Sequence, residues 1–580
     1  MSVNEFKVAL VVDGEYVSAW QHLMLERLLA VTGVSVTALI FRQPEIPSFF
    51  QGLSQYLLNG LRWFDARVFQ CPVTALRQQS VLDILGDITV CDAGSPRYQQ
   101  LLMDTSVDVA LDLTGQAPLA EMLAWAKYGV WRHFYGNPAV LRDSQVGVRE
   151  YIGKQPEIVC GLERVVSGSG MPEWLFYATT STDRLSISRS MERTLWKMAD
   201  FMPQRVQELM QLGESRFVRN AQVRATHFPL AQAYADVPAS VWMVLRVLGR
   251  YPLNFMIKLY KSMFRAEQWV LLLGERQCVS DASVLVHFRK LMPPRDRFWA
   301  DPFVVEHANE NYIFFEELVY ARGVGHLSYI KLNPDGSHTE PVKVLERPYH
   351  LSYPFIFKHQ GQYYMIPETA ANHSIELYRC EEFPHRWVFE KILMGNVEAY
   401  DTTLFEHQGL WWMFTSMRHH EKCLPNEALY LFYADTPFTT QWQPHPQNPI
   451  VTQAANARPA GSIIEENGYL YRPAQNCAGA YGRGLNLNLI RQWDTTDYQE
   501  DIVGYCLPEG KHDMNGVHTF GVSSTVSVSD ALYVHRRLGW LDRWLEQFSQ
   551  WQPPFFKQVG IKKRHLLMVS LPLAFLWMDS

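Results

Sequence analysis

The sequence predicts a multidomain chain. It divides into an α/β domain over residues 1–215, a helical basic and amphipathic connector over 216–268, an all-β five-bladed propeller over 269–537, and a helical, apolar tail over 538–580. Three observations carry this division. At 580 residues the chain is longer than one core usually organises. Its first third alternates β-branched apolar runs with helical periodicity. From about residue 269 onward, strands recur in units of roughly fifty residues.

In the first segment, Lys7–Val12 is an apolar strand closed by Asp13-Gly14, with a helical stretch from Val17 to Thr32 and a second strand at Val34–Phe41. Val107–Leu113 reads as another buried strand, ended by Thr114-Gly115, before a helix from about Pro118 to Lys127. This βαβ rhythm implies a parallel sheet covered by helices. No GxGxxG follows the first strand, so a dinucleotide fingerprint is missing.

The connector mixes Trp242, Leu245, Leu248, Phe255 and Leu259 with Arg246, Arg250, Lys258, Lys261 and Arg265. The tail sets Lys562, Lys563 and Arg564 just before the apolar run Leu566–Met578. Segments of this kind either lie in the interface of an anionic leaflet or pack between domains. No run of about 18 uninterrupted apolar residues indicates a spanning helix. The N-terminus enters a strand directly and lacks a signal-peptide pattern. The expected location is cytoplasmic, with peripheral contact on the inner membrane.

The third segment carries most of the information. Four stretches share one grammar of strand, polar turn and aromatic strand, starting near Ala300, Ser352, Tyr400 and Pro459; a shorter fifth begins near His518 and runs to Arg537. The steps from Asp301 to Tyr353, Asp401 and Ala460 are 52, 48 and 59 positions. That is the period of four-stranded propeller blades. The lone strand Trp269–Leu273 is expected to complete the last blade and close the ring, since an open array would leave bare edges. Alignment makes Asp301, Tyr353, Asp401 and Ala460 equivalent at the start of each innermost strand. It sets Glu317, Glu368, Ser416 and Gln475 equivalent one layer on. Equivalent positions converge on one axis, so acidic groups are expected to gather there.

Composition narrows the function. A net charge of -6 argues against nucleic acid as a partner. The eight cysteines are scattered with no CxxC pair, so neither a zinc site nor a disulfide framework is suggested. No ligand-spaced His/Asp cluster or DxD stands out, and no metal is expected. The chain is 13% aromatic, which suits both propeller packing and sugar binding, because rings stack on the apolar faces of sugars.

Six motifs occur in order: Trp299-Ala-Asp-Pro-Phe, His350-Leu-Ser-Tyr-Pro-Phe, Met365-Ile-Pro-Glu, Ala457-Arg-Pro-Ala-Gly, Tyr471-Arg-Pro-Ala-Gln and Val517-His-Thr-Phe. Together they resemble the N-terminal propeller domain named after plant glucosamine inositolphosphorylceramide transferase, a domain also found in bacterial proteins. That domain is in turn similar to the five-bladed propeller of glycoside hydrolase family 43. The resemblance implies that Asp301 and Asp401 are catalytic, matching the aspartates of blades one and three. Blade four has no carboxylate where those hydrolases keep their acid. A phosphate-activated sugar needs no acid to leave. Arg458 and Arg472 stand nearby, and cations of that type hold phosphate. Glu317, Glu368, Gln475, His350, Tyr353 and His518 are candidate substrate contacts, and His420 is a further candidate to assist.

The first domain resembles the formyltransferase fold through Asp112-Leu-Thr-Gly115 leading to Gly129-Val-Trp-Arg-His133. His133 matches that family's histidine. Trp131 stands where its asparagine belongs, and Ser167–Glu173 supplies no aspartate. These resemblances imply a glycosyltransferase of bacterial surface polysaccharide assembly (O-antigen or capsule), acting on a sugar, including a furanose. Its donor would be a nucleotide- or lipid-phosphate sugar with no further cofactor, and its acceptor a carbohydrate or glycolipid. The alternatives are a furanoside hydrolase, a non-catalytic glycan-binding protein and a sugar N-formyltransferase.

Overall fold

The structure, a computed structural model, describes residues 5–43, 49–86, 88–115, 120–135, 146–168, 172–226, 241–276, 285, 287–418, 420–508 and 513–536. The apolar tail lies outside the described residues.

The N-terminal domain is built on a seven-stranded sheet. Its spatial order is Thr89–Asp92, Val34–Phe41, Phe6–Val12, Val109–Asp112, Val130–Tyr135, Glu157–Val165 and Glu173–Ser181. The first five strands pair in parallel, as the βαβ rhythm predicts. The last two add as antiparallel neighbours, so the sheet is mixed. This edge follows from two long strands separated by a short connection, which only an antiparallel pair allows. Helices Ile187–Met198, Phe201–Leu212 and Glu214–Thr226 cover this end of the domain. Phe217 stacks on Trp131 with ring centroids 5.5 Å apart and belongs to the domain's main core, as does Ala221. The connector expected over 216–268 is therefore not a separate element. Its first part belongs to the N-terminal core. Its second part is helix Val241–Phe264, which runs directly into strand Arg265–Glu275.

The propeller has five sheets. The first three blades are four-stranded meanders beginning with Arg297–His307, Ser352–His359 and Ala399–His407. The fourth is built on Tyr469–Asn476, Gly484–Trp493 and Tyr498–Cys506. The fifth pairs Val526–Arg536 with Arg265–Glu275 over eleven residues, from Arg265↔Arg536 to Glu275↔Val526. The early strand thus closes the ring as expected, and no blade is left with an open radial edge at the junction.

The innermost hairpins repeat to the residue. Their two-residue turns are Ala308-Asn309, Gln360-Gly361, Gln408-Gly409 and Asn467-Gly468, and all eight residues have positive φ. That is the turn whose twist matches two antiparallel strands. Asn309 occupies the place of the glycine, which asparagine tolerates.

The two domains meet through buried polar bonds. Lys197 donates from Nζ to the carbonyls of Thr179, Glu427 and Thr452 at 2.7, 2.9 and 3.0 Å. The Ser181 amide donates to the Glu427 carboxylate, and the Thr179 amide to the Thr452 carbonyl. Such a junction holds the domains in register, because separating them would strand buried donors and acceptors.

Candidate functional site at the propeller centre

Each of the first three blades begins with the same local device. Register slips by one residue between Ala300 and Phe303, Ser352 and Phe355, and Tyr400 and Thr403. These are β-bulges, and the extra residue leaves the ladder. At the bulges sit Asp301, Tyr353 and Asp401, with φ of 51°, 45° and 52°. Non-glycine residues held in this region cost about 1–3 kcal/mol each and cluster at functional sites. Blade four answers with Ala460-Gly461. A Cβ at Gly461 would lie 2.1 Å from the Phe520 carbonyl oxygen, so only glycine fits this close approach of blades four and five.

The bulges bring residues of different blades into bonding distance. Asp301 accepts from Thr519 Oγ1 at 2.8 Å and from the Tyr353 amide at 3.3 Å. His518 Nε2 lies 3.7 Å from Asp301 and its Nδ1 lies 2.5 Å from Asp530. Asp530 also receives the amides of Asp301, His518 and Thr519. Tyr353 crosses the centre from blade two. Its hydroxyl accepts from the Gly461 amide at 2.8 Å and bonds Thr403 Oγ1 at 2.8 Å.

On the other side, Arg458 grips Asp401 through Nε and Nη2 at 2.6 and 3.1 Å and reaches Glu368 from Nη2 at 3.0 Å. Gln475 Nε2 donates to the same Asp401 at 2.8 Å. The Tyr400 and Tyr481 rings flank the guanidinium at 5.3 and 5.1 Å.

Electrostatics follow from this geometry. Burial pushes the Asp301 carboxyl up. The His518 cation opposes that shift, while Asp401, Glu316 and Asp530 add to it, and Asp301 settles at about 7. Burial alone would lower His518, yet Asp530 and Asp301 outweigh it and raise the imidazole to about 9. Burial holds Glu368 well above the usual carboxylate range. Arg458 works against that shift and the neighbouring Asp401 works with it. The centre therefore combines a carboxylate poised near neutrality, a charged histidine and a carboxyl group that holds its proton more tightly than usual.

Several sequence-based assignments move. Glu317 faces away from the axis, into its own blade. It accepts from Arg297 at 3.0 Å, Trp299 at 3.2 Å and Ser328 at 2.8 Å, and contacts His326 at 3.2 Å. Burial would raise it, but these bonds hold it down at about 2. The register-equivalent of Glu368 is Glu316: Ala300 pairs with Glu316 as Ser352 pairs with Glu368 and Tyr400 with Ser416. A one-residue slip exchanges the two faces of a strand. Arg472 is not part of the cluster either. It binds Glu500 in its own blade at 2.8 and 2.6 Å. His350 sits at the rim, with Nε2 3.1 Å from Glu316 and its side chain 39% exposed. His420 stacks on Trp196 of the N-terminal domain, away from the centre. His133 packs edge-on to Trp20 at 5.0 Å; burial lowers it to about 3, and its Nε2 has no hydrogen-bond partner among the described residues.

Thr519, Asp530, Glu316 and Tyr481 were not read from the sequence. Asp530 carried a visible signal, as a carboxylate inside the apolar strand Val526–Arg536. Asp301, His518 and Asp530 also present ligand atoms within 4.8 Å of one another, so they are the group best placed for a cation among the described residues. Their oxygens already accept five hydrogen bonds from protein donors, which suits proton sharing better than coordination.

Comparison with known proteins bears on this segment. Residues 289–524 match the family described as glucosamine inositolphosphorylceramide transferase 1, N-terminal. Glucosamine inositolphosphorylceramide transferase 1 of Oryza sativa subsp. japonica is 33% identical over 221 residues, covering 38% of this chain and 29% of that protein. The protein of the same name in Arabidopsis thaliana is 32% identical over 238 residues, covering 40% and 31%. The chain thus matches less than a third of the length of these curated relatives. Among solved structures, Zg3597, a family 117 glycoside hydrolase of Zobellia galactanivorans, aligns with a TM-score of 0.30 at 11% identity, covering 46% of this chain and 90% of that one. The matched segment contains the central residues from Asp301 to Thr519, and Asp530 lies just beyond it.

Proposed function

We propose that this chain is a glycosyltransferase working at the propeller centre. It would take a sugar, a furanose included, from a nucleotide- or lipid-phosphate donor and pass it to a carbohydrate or glycolipid hydroxyl. We place this activity in bacterial surface-polysaccharide assembly. The relatives named as transferases share the segment that carries the centre, which supports this class. The observation that carries the mechanism is Asp301, buried, near neutrality and braced by Thr519 and the His518–Asp530 pair.

Once ionised, Asp301 takes the proton from the acceptor hydroxyl. His518, kept charged, stabilises that carboxylate and orients it. Asp401 and the other carboxylates face the positive charge that develops on the sugar carbon as its bond to phosphate breaks. Arg458 is engaged with Asp401 and Glu368, so in this reading it sets their spacing and charge. This differs from the role in holding the departing phosphate that the sequence suggested. The phosphate, already a good leaving group, carries its own negative charge away. The N-terminal domain is read as formyltransferase-like in fold only, because His133 is packed in the interior and Trp131 replaces the expected asparagine.

The test is transfer from a panel of radiolabelled nucleotide and polyprenyl-phosphate sugars to lipid extracts. Asp301→Asn should abolish incorporation while leaving a folded protein; full transfer by that variant would end the proposal. Glu368 supports a second reading, a furanoside hydrolase, since burial raises its carboxyl toward the range of a proton donor, the acid that blade four lacks. Cleavage of an alkyl furanoside, which needs an acid, with loss on Glu368→Gln would favour it over transfer.

A further inference from the structure

Both arginines of blade four are committed to carboxylates, Arg458 to Asp401 and Glu368 and Arg472 to Glu500. Unpaired cations gather instead in a cavity of about 750 Å³ where the N-terminal domain meets blade five. Arg250, Lys258 and Lys261 reach it from helix Val241–Phe264, and Arg265 from the start of strand Arg265–Glu275. Lys258 and Lys261 follow Arg250 by eight and eleven positions, a spacing that sets all three on one helix face. In the first half of the helix that face buries Met243 and Val247 against the domain, so it is turned inward. None of these four cations makes an ion pair or a side-chain hydrogen bond among the described residues.

The rest of the wall is already engaged. Lys154 and Arg184 have partners of their own. Glu267 accepts from Asn515 Nδ2 at 3.0 Å, and Glu150 from the Gly147 amide at 2.9 Å. Burial lowers the Lys261 ammonium, Arg265 and Arg184 lower it further, and Glu267 opposes them. Cations crowded in a concave site are completed by an anion.

Two segments join this cavity to the propeller centre. Arg265, Glu267 and Trp269 alternate along one face of their strand, and the Trp269 ring stacks on His518 with centroids 4.0 Å apart. At the rise of an extended strand, Arg265 stands about 13 Å from Trp269. Loop 477–483 makes the second link. A Cβ on Gly479 would lie 3.6 Å from the Arg184 guanidinium, while the Tyr481 ring meets His518 at 5.5 Å and Arg458 at 5.1 Å. Both sites are thus within reach of one elongated ligand.

The separation decides which substrate the cavity serves. A donor's phosphate is bonded to the sugar carbon that reacts, so it must sit beside Asp301. An anion held beyond Trp269 belongs to the other substrate, and a single sugar is too short to bridge the two places. We propose that the cavity binds the phosphate of a phosphate-terminated oligosaccharide acceptor, whose far hydroxyl reaches Asp301. The inference rests on the transferase reading of the propeller centre.

The first measurement is calorimetric titration of the full chain with inorganic pyrophosphate. Binding is expected, and it should weaken with added salt. Lys258→Gln with Lys261→Gln should weaken it by roughly tenfold for each cation removed, with circular dichroism and melting temperature as in the parent. Asp301→Asn should bind pyrophosphate as the parent does. The second measurement is transfer to one oligosaccharide in three forms: linked to lipid diphosphate, as the free 1-phosphate, and dephosphorylated. Both phosphorylated forms should show the lower KM, and the lysine double variant should erase that preference. A preference for the lipid-linked form alone, kept by the double variant, would assign recognition to the lipid and overturn the proposal. Failure to bind pyrophosphate, no preference for phosphate, or a double variant that raises donor KM instead would also overturn it. An active chain that ignores phosphate refutes this inference alone. A chain that binds pyrophosphate through these lysines yet transfers no sugar refutes the transferase reading, and the acceptor site with it.

Discussion

Asp301→Asn is expected to make the protein more stable at alkaline pH while removing its activity. The variant keeps shape and removes the charge. In the native state Asp301 holds its proton up to about pH 7, whereas in the unfolded chain it loses it near 3.8. Between those values the native state binds the extra proton, so the stability of the parent falls as pH rises. The difference of about 3 pKa units at 1.36 kcal/mol each is about 4 kcal/mol lost by pH 7. Asparagine has no such slope. It does lose one bond, because the two Asp301 oxygens accept separately from Thr519 Oγ1 and the Tyr353 amide, and the amide nitrogen that replaces one of them cannot accept, at a cost of about 1–3 kcal/mol. The variant should therefore melt below the parent near pH 4 and above it by pH 8. The net gain at pH 8 is about 1–3 kcal/mol, or roughly 2–4 °C for each kcal/mol in a domain of this size. Scanning calorimetry of both proteins from pH 4 to 8 reads this directly. A constant offset between the two curves, with no crossing, would show that Asp301 is an ordinary ionised carboxylate and would remove the basis for its role as a base.

Three further outcomes follow from the same geometry. Glu317→Gln should cost about 3 kcal/mol at pH 7, because the depressed pKa stabilises the fold above about pH 4.5 and that stability is lost as pH falls toward 2; calorimetry should show the deficit narrowing in acid, and donor KM should not change. Arg458→Met should destabilise the propeller by about 3–5 kcal/mol by stranding Asp401 beside Glu368, and Arg458→Lys should rescue little, since one ammonium cannot reproduce the fork; melting temperatures of the pair decide it. Lys197→Met should leave three buried carbonyls and the Glu427 carboxylate without their cation, and should split a single calorimetric transition into two as the domains uncouple.

Much of the fold was legible because each blade writes the same short-range chemistry. A polar two-residue turn between aromatic strands is a local signal, and closure by the early strand follows from the need to cover an edge. The site was legible only as far as the alignment held. Asn309 does the work of a glycine, so the first blade offers no glycine on which to anchor the register. A slip of one position then exchanged Glu316 for Glu317, and with it the axis for the blade interior. The fates of the two arginines were invisible for another reason. Arg458 and Arg472 sit in similar Arg-Pro-Ala contexts, yet one reaches two other blades and the other finds Glu500 two strands along its own sheet. Spacing alone does not say which carboxylate a long side chain meets. Asp530 was overlooked because a lone acid in a β-branched strand has no partner in sequence, only in space.

Ring closure also dictates when the centre comes into being. Strand Val526–Arg536 finds its mate some 250 positions upstream, at Arg265–Glu275, and brings Asp530 with it. During synthesis, Asp301 has long left the ribosome before His518 emerges to face its carboxylate and Asp530 to hold its amide. The nascent propeller is therefore an open arc with uncompensated acids at its hub and two unzipped margins, the kind of intermediate that chaperones protect. The central cluster is complete only with the last seam, and nicking either partner strand should dismantle it just as abruptly.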